Sequence, residues 1–374
     1  MYSQQPLAKD KLKIIMLGES LARQGGIVSV EKLLLQQASS DVEIKHIATL
    51  VNGSVTHKIV GFVRSIVEFL WTLLRTESDM VHIHVSQGGS VYRKAILTTI
   101  ALIFRKPIIL HAHGPEFHLF YSKLPQLLKR GCSWAFCRSD RFIVLSESWK
   151  NYYIQNIGLK AEQTVVLPNP VKLPAQIPHR TNSQIVSFIF LGRIGQRKGA
   201  FDLIKAFSNL PASDQSRSQL ILAGDGDITP AQNLIASLNL NNYITVFEWL
   251  NSEQRDKLLA SSDVFVLASY NEGLPMSLLE AMSWGLPVIT TPVGGIPELV
   301  THSQNGLLVN PGDIQELSIA MESLINNENL RLTLGSNARK SVTPLDVKYY
   351  FNHLVEIYHS VFGLRDHSYV NTAK

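Results

Sequence analysis

Glu272 and Glu280 stand eight positions apart in the stretch EGLPMSLLEAMSWGLPVITTPVGGIPE, residues 272 to 298. A short apolar run, VFVLAS over 264 to 269, precedes them and reads as a buried strand, so both carboxylates follow a strand's carboxyl end. Gly273 and Pro275 close that strand and open a helix whose Leu278, Leu279 and Met282 face a core, and Gly285 and Pro287 end it before a second strand, PVITT. At about 1.5 Å of rise per helical residue the two glutamates would lie roughly 12 Å apart and could hold two ends of one ligand. The helix amino terminus beside Glu272, Gly273, Leu274 and Pro275 favours a phosphate. A carboxylate next to a phosphate repels it, so both glutamates are assigned to neutral hydroxyls. A ligand with hydroxyls on either side of a diphosphate is a nucleotide sugar.

The positive charge that such a diphosphate needs is found in FLGRIGQRKGAFDL, residues 190 to 203. Arg193 and Lys198 bracket a turn with Gly192, Gly195 and Gly199, and an Arg fork with a Lys point charge is an apt diphosphate grip. Arg197 reads as solvent-facing. Nearer the amino terminus, KLKIIMLG (11 to 18) is a first strand, and Gly25 and Gly26 form a turn where backbone can approach a ligand, or a tight turn alone. No G-x-G-x-x-G is present there, which argues against a dinucleotide site. His113 ends the strand PIILHAH, and His111, on the same face of that strand, is its rival for a ligand contact. Glu116 and His118 share the following loop and are candidates for the acceptor side, with a solvated loop as the alternative.

The pattern E-G-x-P-x-x-x-L-E-A-M-x-x-G-x-P-V followed by G-G-x-P-E resembles the E-x7-E signature of the family 4 (group 1) retaining nucleotide-sugar glycosyltransferases. The resemblance runs more faintly over nearly the whole chain. It implies a GT-B fold: α/β, two Rossmann-like doubly wound domains facing each other across a cleft, with a C-terminal helix crossing back to the first. It further implies that Gly25 and Gly26 approach the donor diphosphate or the acceptor, that His113 meets the donor sugar, and that Arg193 with the Lys198-Gly199 pair binds the diphosphate. Glu272 would hold sugar hydroxyls and Glu280 the ribose. The implied catalytic set is His113, Glu272, Arg193 and Lys198. Two departures bear on the donor: Pro170 follows Asn169 where the family commonly has glycine, and Trp249 stands where a glycine is frequent. Asp225-Gly-Asp227 matches a D-x-D metal site of the other main glycosyltransferase fold, but Gly-Asp-Gly is also an ordinary turn after a strand, and no metal or other cofactor is expected.

These residues need strands and helices in alternation to hold them, and the chain supplies that alternation twice. The expected organisation is an acceptor-side domain over residues 1–170, a nucleotide-sugar domain over 171–346, and a C-terminal helix over 347–374 returning to the first domain. A charged fraction of 17% against 45% hydrophobic residues excludes disorder and coiled coil. The longest apolar run, AILTTIALIF (95 to 104), is too short to span a bilayer, and the amino terminus lacks an apolar core with a cleavage site. A cytoplasmic protein is expected. Cys132 and Cys137 read as reduced thiols in a helix. Residues 1–170 hold 20 Lys/Arg against 12 Asp/Glu, whereas 171–374 hold 15 against 18. That asymmetry suggests an anionic partner such as a lipid phosphate or membrane surface, with a merely solvated basic surface as the alternative. The stripe IVGFVRSIVEFLWTLLR (59 to 75) reads as a helix packed on the core, and its aromatics and arginines keep a membrane-surface role open.

The expected activity is retaining transfer of a sugar from a UDP- or GDP-sugar to a lipid-linked or polysaccharide acceptor, without nucleic acid, in the cytoplasm or peripheral on the inner face of the cell membrane. A sugar-nucleotide epimerase on the same fold and a non-catalytic donor-binding scaffold are the alternatives.

Overall fold

A computed structural model of the chain describes residues 11–37, 41–180 and 184–370. The first ten residues, read above as lacking a signal segment, and part of the polar connection after residue 171 lie outside the described residues. The chain divides into two compact units, Met1–Pro168 with Val347–Lys374, and Asn169–Asp346.

The first unit runs β1 (Leu12–Gly18), α1 (Gly26–Gln37), β2 (Val42–Ala48), α2 (Val55–Arg75), β3 (Met80–Val85), α3 (Gly89–Ile103), β4 (Ile108–Ala112), α4 (Phe117–Ser122), α5 (Gln126–Phe136), β5 (Arg141–Val144), α6 (Glu147–Ile157) and β6 (Thr164–Val166). Its strands form one parallel sheet in the order β2-β1-β3-β4-β5-β6. β3 and β4 are buried at every position, which is why they read as unbroken apolar runs interrupted only by histidine. Chain order reverses between β1 and β3, so the carboxyl ends of those strands form the place where such sheets bind ligands.

The second unit runs β7 (Val186–Leu191), α7 (Ala200–Ser208), α8 (Ala212–Gln215), β8 (Ser218–Ala223), α9 (Ile228–Ser237), β9 (Ile244–Phe247), α10 (Ser252–Ser261), β10 (Val264–Leu267), α11 (Met276–Ser283), β11 (Val288–Thr290), β12 (Leu307–Leu308), α12 (Ile314–Asn326) and α13 (Glu328–Val342). Its parallel sheet is ordered β12-β11-β10-β7-β8-β9, with the reversal between β7 and β10. The turns after β7 and β10 carry Lys198 and Glu272, so the reversal alone makes neighbours of residues 74 positions apart. A last helix, α14 (Val347–Val370), belongs to the first unit, where Tyr358 is buried.

One expectation about packing fails. α2 was read as a core stripe, yet only part of it is buried: Ser65, Phe69, Thr72 and Leu73 face inward, while Val55, Ile59, Val60, Val63, Val67, Trp71 and Leu74 are 50% to 73% exposed. Its apolar residues span an arc wider than the face that packs inward, so periodicity alone could not show that the outer part of that arc lacks a partner.

Candidate functional site

In the second unit three loops are laced together at the carboxyl ends of β7, β8 and β10. Ile194 N donates to Asp225 O at 2.7 Å and Asp227 N donates to Ile194 O at 2.9 Å, tying the first two loops. Tyr270 N donates to Arg197 O at 2.9 Å and ties the first to the third. Gly199 permits that approach: its φ is +69°, and a Cβ there would fall 2.0 Å from Ala268 O.

That lacing delivers Lys198 to Glu272. Lys198 Nζ lies 2.5 Å from Glu272 Oε1, and the two side chains are 13% and 5% exposed. Ser269 Oγ donates to the same oxygen at 2.8 Å. Glu272, expected to meet sugar hydroxyls, thus also has a cation beside it, which screens the carboxylate and lets it stand near an anion. Arg197 corrects an expectation. It is not a solvent-facing side chain: its Nη1 donates to Asn271 O at 3.0 Å and lies 3.9 Å from Glu272 Oε1, because the three-residue 3₁₀ turn Gln196–Lys198 folds both cations toward the third loop. Arg193, by contrast, is 69% exposed, with Nη1 3.7 Å from Asp225 Oδ2.

Glu272, Gly273, Leu274 and Pro275 lead into α11 without being helical, so the helical rise applied from Glu272 to Glu280 overstates what is regular there; only Met276 to Ser283 is helix. Leu278, Leu279 and Met282 are buried on its inner side. The lead-in is held from two directions. Asn169 is buried, and its Nδ2 donates to Leu274 O at 2.7 Å. From the other side Gly295 N donates to Gly273 O at 2.7 Å, and Gly294, with φ +58°, sits where a Cβ would be 2.0 Å from Glu272 O. Glu280 is on α11 with one oxygen 3.3 Å from Arg255 Nη2. Burial pushes its carboxyl up to about 7, with Arg255 pulling the other way.

In the first unit, His113 follows β4 and is 7% exposed, and its Nε2 meets His84 Nδ1 at 2.9 Å. His82, His84, His111 and His113 share one face of the sheet because each pair is two residues apart on adjacent, in-register strands. The rings of His111 and His113 have centroids 4.1 Å apart, those of His82 and His84 4.5 Å. Burial, with repulsion from the neighbouring imidazoles, pushes His82 down to about 3 and holds His84 and His111 well below the usual range, so these rings are neutral. His82 Nδ1 pairs with Tyr358 Oη at 2.8 Å. Among the described residues, His82, His84 and His111 are the group whose ligand atoms come within 4.8 Å of one another.

Gly25, with φ +144°, has open space where a Cβ would stand, and Gly26 begins α1. At the end of β1, buried Glu31 accepts from Glu19 N at 3.1 Å, and buried Lys94 donates to Leu17 O at 2.7 Å and Thr49 Oγ1 at 2.6 Å. Burial brings Lys94 down to about 7. Glu116 stands at the N-cap position of α4 without a side-chain capping bond, and His118 lies against Trp149 and Tyr152, with ring centroids 5.7 and 6.2 Å away. Burial lowers the His118 pKa and Glu116 opposes that shift.

Sequence reasoning missed His82, His84, Ser269, Arg255, Glu31 and Lys94. Only the histidines left a signal: H-x-H in each of two consecutive strands puts each pair on one face, and the register of β3 with β4 makes it the same face.

Two family profiles match adjoining parts of the chain, Glycosyltransferase Family 4 over residues 15–173 and Glycosyl transferases group 1 over residues 174–341. The chain is 27% identical over 259 residues to an uncharacterized glycosyltransferase of Methanocaldococcus jannaschii, covering 64% of this chain and 65%, just under two thirds, of that protein's length. It is 27% identical over 290 residues to the UDP-Gal:alpha-D-GlcNAc-diphosphoundecaprenol alpha-1,3-galactosyltransferase of Escherichia coli, covering 73% of each. Among solved structures, Anabaena HepE in complex with UDP superposes with a TM-score of 0.75 at 21% identity, covering 93% of this chain and 100% of that one. At that identity the likeness establishes the GT-B fold.

Proposed function

From the premise that the chain belongs to the group 1, family 4 glycosyltransferases, we propose that it moves a sugar from a UDP- or GDP-sugar to a lipid-linked or polysaccharide acceptor, with retention at the anomeric carbon. The observation that carries the donor half is the buried Lys198–Glu272 pair at the sheet's reversal point, with Arg193 exposed on the same loop. A nucleoside diphosphate leaves as an anion, so catalysis needs positive charge already in place where that anion forms. Lys198 and Arg193 supply it, and Glu272 keeps Lys198 oriented while its other oxygen accepts from sugar hydroxyls. Glu280 accepts from the ribose. Gly273, Leu274 and Pro275 present the α11 amino terminus to the phosphates.

In the first unit Gly25 and Gly26 approach the donor diphosphate or acceptor, Glu116 and His118 serve the acceptor side, and His113 serves the donor sugar. His84 fixes the His113 ring through its 2.9 Å contact. The side chains of this set need no metal ion, since two cations already face the diphosphate, and we assign the enzyme no cofactor. For the acceptor, the galactosyltransferase relative is named for a diphosphoundecaprenol substrate, and the basic first half of this chain suits an anionic lipid. We place the enzyme in the cytoplasm, peripheral on the membrane's inner face. No helix among the described residues is long and apolar enough to cross a membrane.

The test is a panel of nucleotide sugars read by thermal shift, followed by product analysis. One donor should raise the midpoint, ligand at 100 times its dissociation constant adding about 2.7 kcal/mol. Incubation of that donor with a lipid-linked acceptor should then yield an α-linked product from an α-linked donor. Epimerised donor, or a β-linked product, would overturn the reading.

A further inference from the structure

We propose that α2 is a membrane-docking helix, lying in the interface of an anionic bilayer with its outward apolar face inserted; this deepens the reading of the acceptor as lipid-linked. The helix has 21 residues, Val55 to Arg75, and is capped at its start by the Ser54 side chain, which accepts from His57 N. Phe69, Thr72 and Leu73 hold its inner side to the core. Val55, Ile59, Val63, Val67 and Trp71, at steps of four, wind from the flank of Leu73 round to the outward side, with Val60 and Leu74 alongside, and all seven are exposed. Neighbours four apart touch, so the row is continuous, about 24 Å from Val55 to Trp71 at about 1.5 Å per residue.

A helix apolar on both sides needs a partner on both. Charge identifies the second partner. α2, α3 and α5 pack side by side, and their sequences contain one acidic residue, Glu68. Exposed Lys58, Arg64 and Arg75 edge the stripe on α2, and exposed Arg130 on α5 and Arg138 just past its end accompany exposed Leu127, Leu128 and Trp134. A second copy of this chain docked face to face would set these cations against their equivalents, because a two-fold interface pairs a patch with itself. An anionic lipid surface accepts both the apolar stripe and the cations. The two exposed tryptophans fit the boundary of such a surface: the Arg75 guanidinium lies 5.1 Å from the Trp71 ring and the Arg138 guanidinium 4.2 Å from the Trp134 ring, each joining an apolar plate to a cation.

The full chain is sedimented with vesicles of phosphatidylcholine alone and of phosphatidylcholine with phosphatidylglycerol, at low and high salt. Binding is expected with the anionic vesicles, weakened but not abolished by salt, since insertion of the stripe does not depend on ionic strength. Val63→Asp with Val67→Asp should lower partitioning about tenfold or more, a change of at least ~1.4 kcal/mol on the binding scale. Arg64→Gln with Arg75→Gln should lower it less and reduce the salt dependence, since Lys58, Arg130 and Arg138 remain. Tryptophan fluorescence should be quenched by brominated acyl chains in the wild-type protein and less so in Trp71→Phe. Both α2 double variants change exposed positions, and their melting curves report whether they fold. Absence of sedimentation with anionic vesicles at low salt would overturn the proposal. So would equal binding by a folded Val63→Asp/Val67→Asp variant, or a dimer that this variant converts to monomer, which would make the face a contact between copies. Donor-induced thermal shifts measured on the same samples judge the glycosyltransferase reading separately, because none of these positions belongs to the donor set.

Discussion

Replacing Lys198 by alanine should cost both stability and turnover, and a double-mutant cycle with Glu272→Gln should separate the two losses. Without the ammonium, Glu272 Oε1 keeps the Ser269 hydroxyl at 2.8 Å and the Arg197 guanidinium at 3.9 Å. Removing one member of a buried ion pair typically costs about 3–5 kcal/mol, because the other charge is left without its counter-ion. Lys198 is 13% exposed and Arg197 is near enough to turn inward, so the lower end, about 3 kcal/mol, is expected. Glu272→Gln alone keeps an oxygen that accepts from Lys198 and should cost about 1–2 kcal/mol. The double variant strands no buried carboxylate, so its loss should fall below the sum of the two by about 1–3 kcal/mol, the range for residues in direct contact. Urea unfolding followed by circular dichroism measures all four corners.

Turnover should behave differently. Lys198→Ala removes a stabiliser of the departing diphosphate, worth about 100-fold or more, and the double variant should recover stability without recovering rate. Glu272→Gln should lower turnover through its contact with the reacting sugar. Release of nucleoside diphosphate gives the rate. A folded Lys198→Ala protein with unchanged turnover would refute the assignment of Lys198 to the leaving group, and a stability coupling near zero would refute the claim that the pair matters to the fold.

Other outcomes follow from neighbouring contacts. Glu280→Gln should chiefly raise the donor KM, since ribose contacts change little at the transition state; a fall in kcat at unchanged KM would mean that the two carboxylates have been given each other's roles. Burial raises the Glu280 carboxyl from 4.5 to about 7, so the folded chain retains a proton that the unfolded chain releases; stability is fullest below about pH 4.5, falls as pH rises through about 7 by roughly 3 kcal/mol, and stays lowered above. Glu280→Gln should therefore melt higher than wild type at about pH 8 and lose that advantage toward about pH 4.5, and a parallel pair of pH profiles would refute this. Gly294→Ala places a methyl 2.0 Å from Glu272 O at φ +58°, so it should lower both the melting temperature and turnover by moving Glu272; wild-type values for both would mean that the turn yields without cost. Activity should survive EDTA, and loss on chelation with rescue by Mn²⁺, together with loss in Asp225→Asn, would return Asp225 and Asp227 to consideration as metal ligands.

The alternation of strands and helices was legible because buried parallel strands are unbroken apolar runs, and MVHIHV, IILHA and VFVL each read that way. Strand ends were less so: the run read over 264–269 is strand only to Leu267, because Ser269 and Tyr270 leave the sheet to bond Glu272 and Asp202. The glutamates and cations were visible as types at spacings, but their pairing was not. Nothing local in GRIGQRKG says that Lys198 meets a residue 74 positions on; that follows only from the strand order, which sets β10 beside β7. Arg197 was misjudged for the same reason, since a side chain at a turn is solvated unless another loop arrives, and Asn271 belongs to the loop that does.

Glycine is where sequence and site come closest to one another. Gly199 and Gly294 both hold left-handed backbone, and at each a Cβ would collide at 2.0 Å with a carbonyl of the β10 loop, Ala268 O in one case and Glu272 O in the other. One is supplied from the loop after β7 and the other from the loop after β11, the two strands that flank β10 in the sheet. Each neighbouring strand thus sends a glycine against the segment that carries Glu272, and any larger residue would push that segment away from the sheet's reversal point. The carboxylate's position is set by what its neighbours lack, and a donor-binding enzyme built on this sheet depends on those two small residues as much as on the charges they bring together.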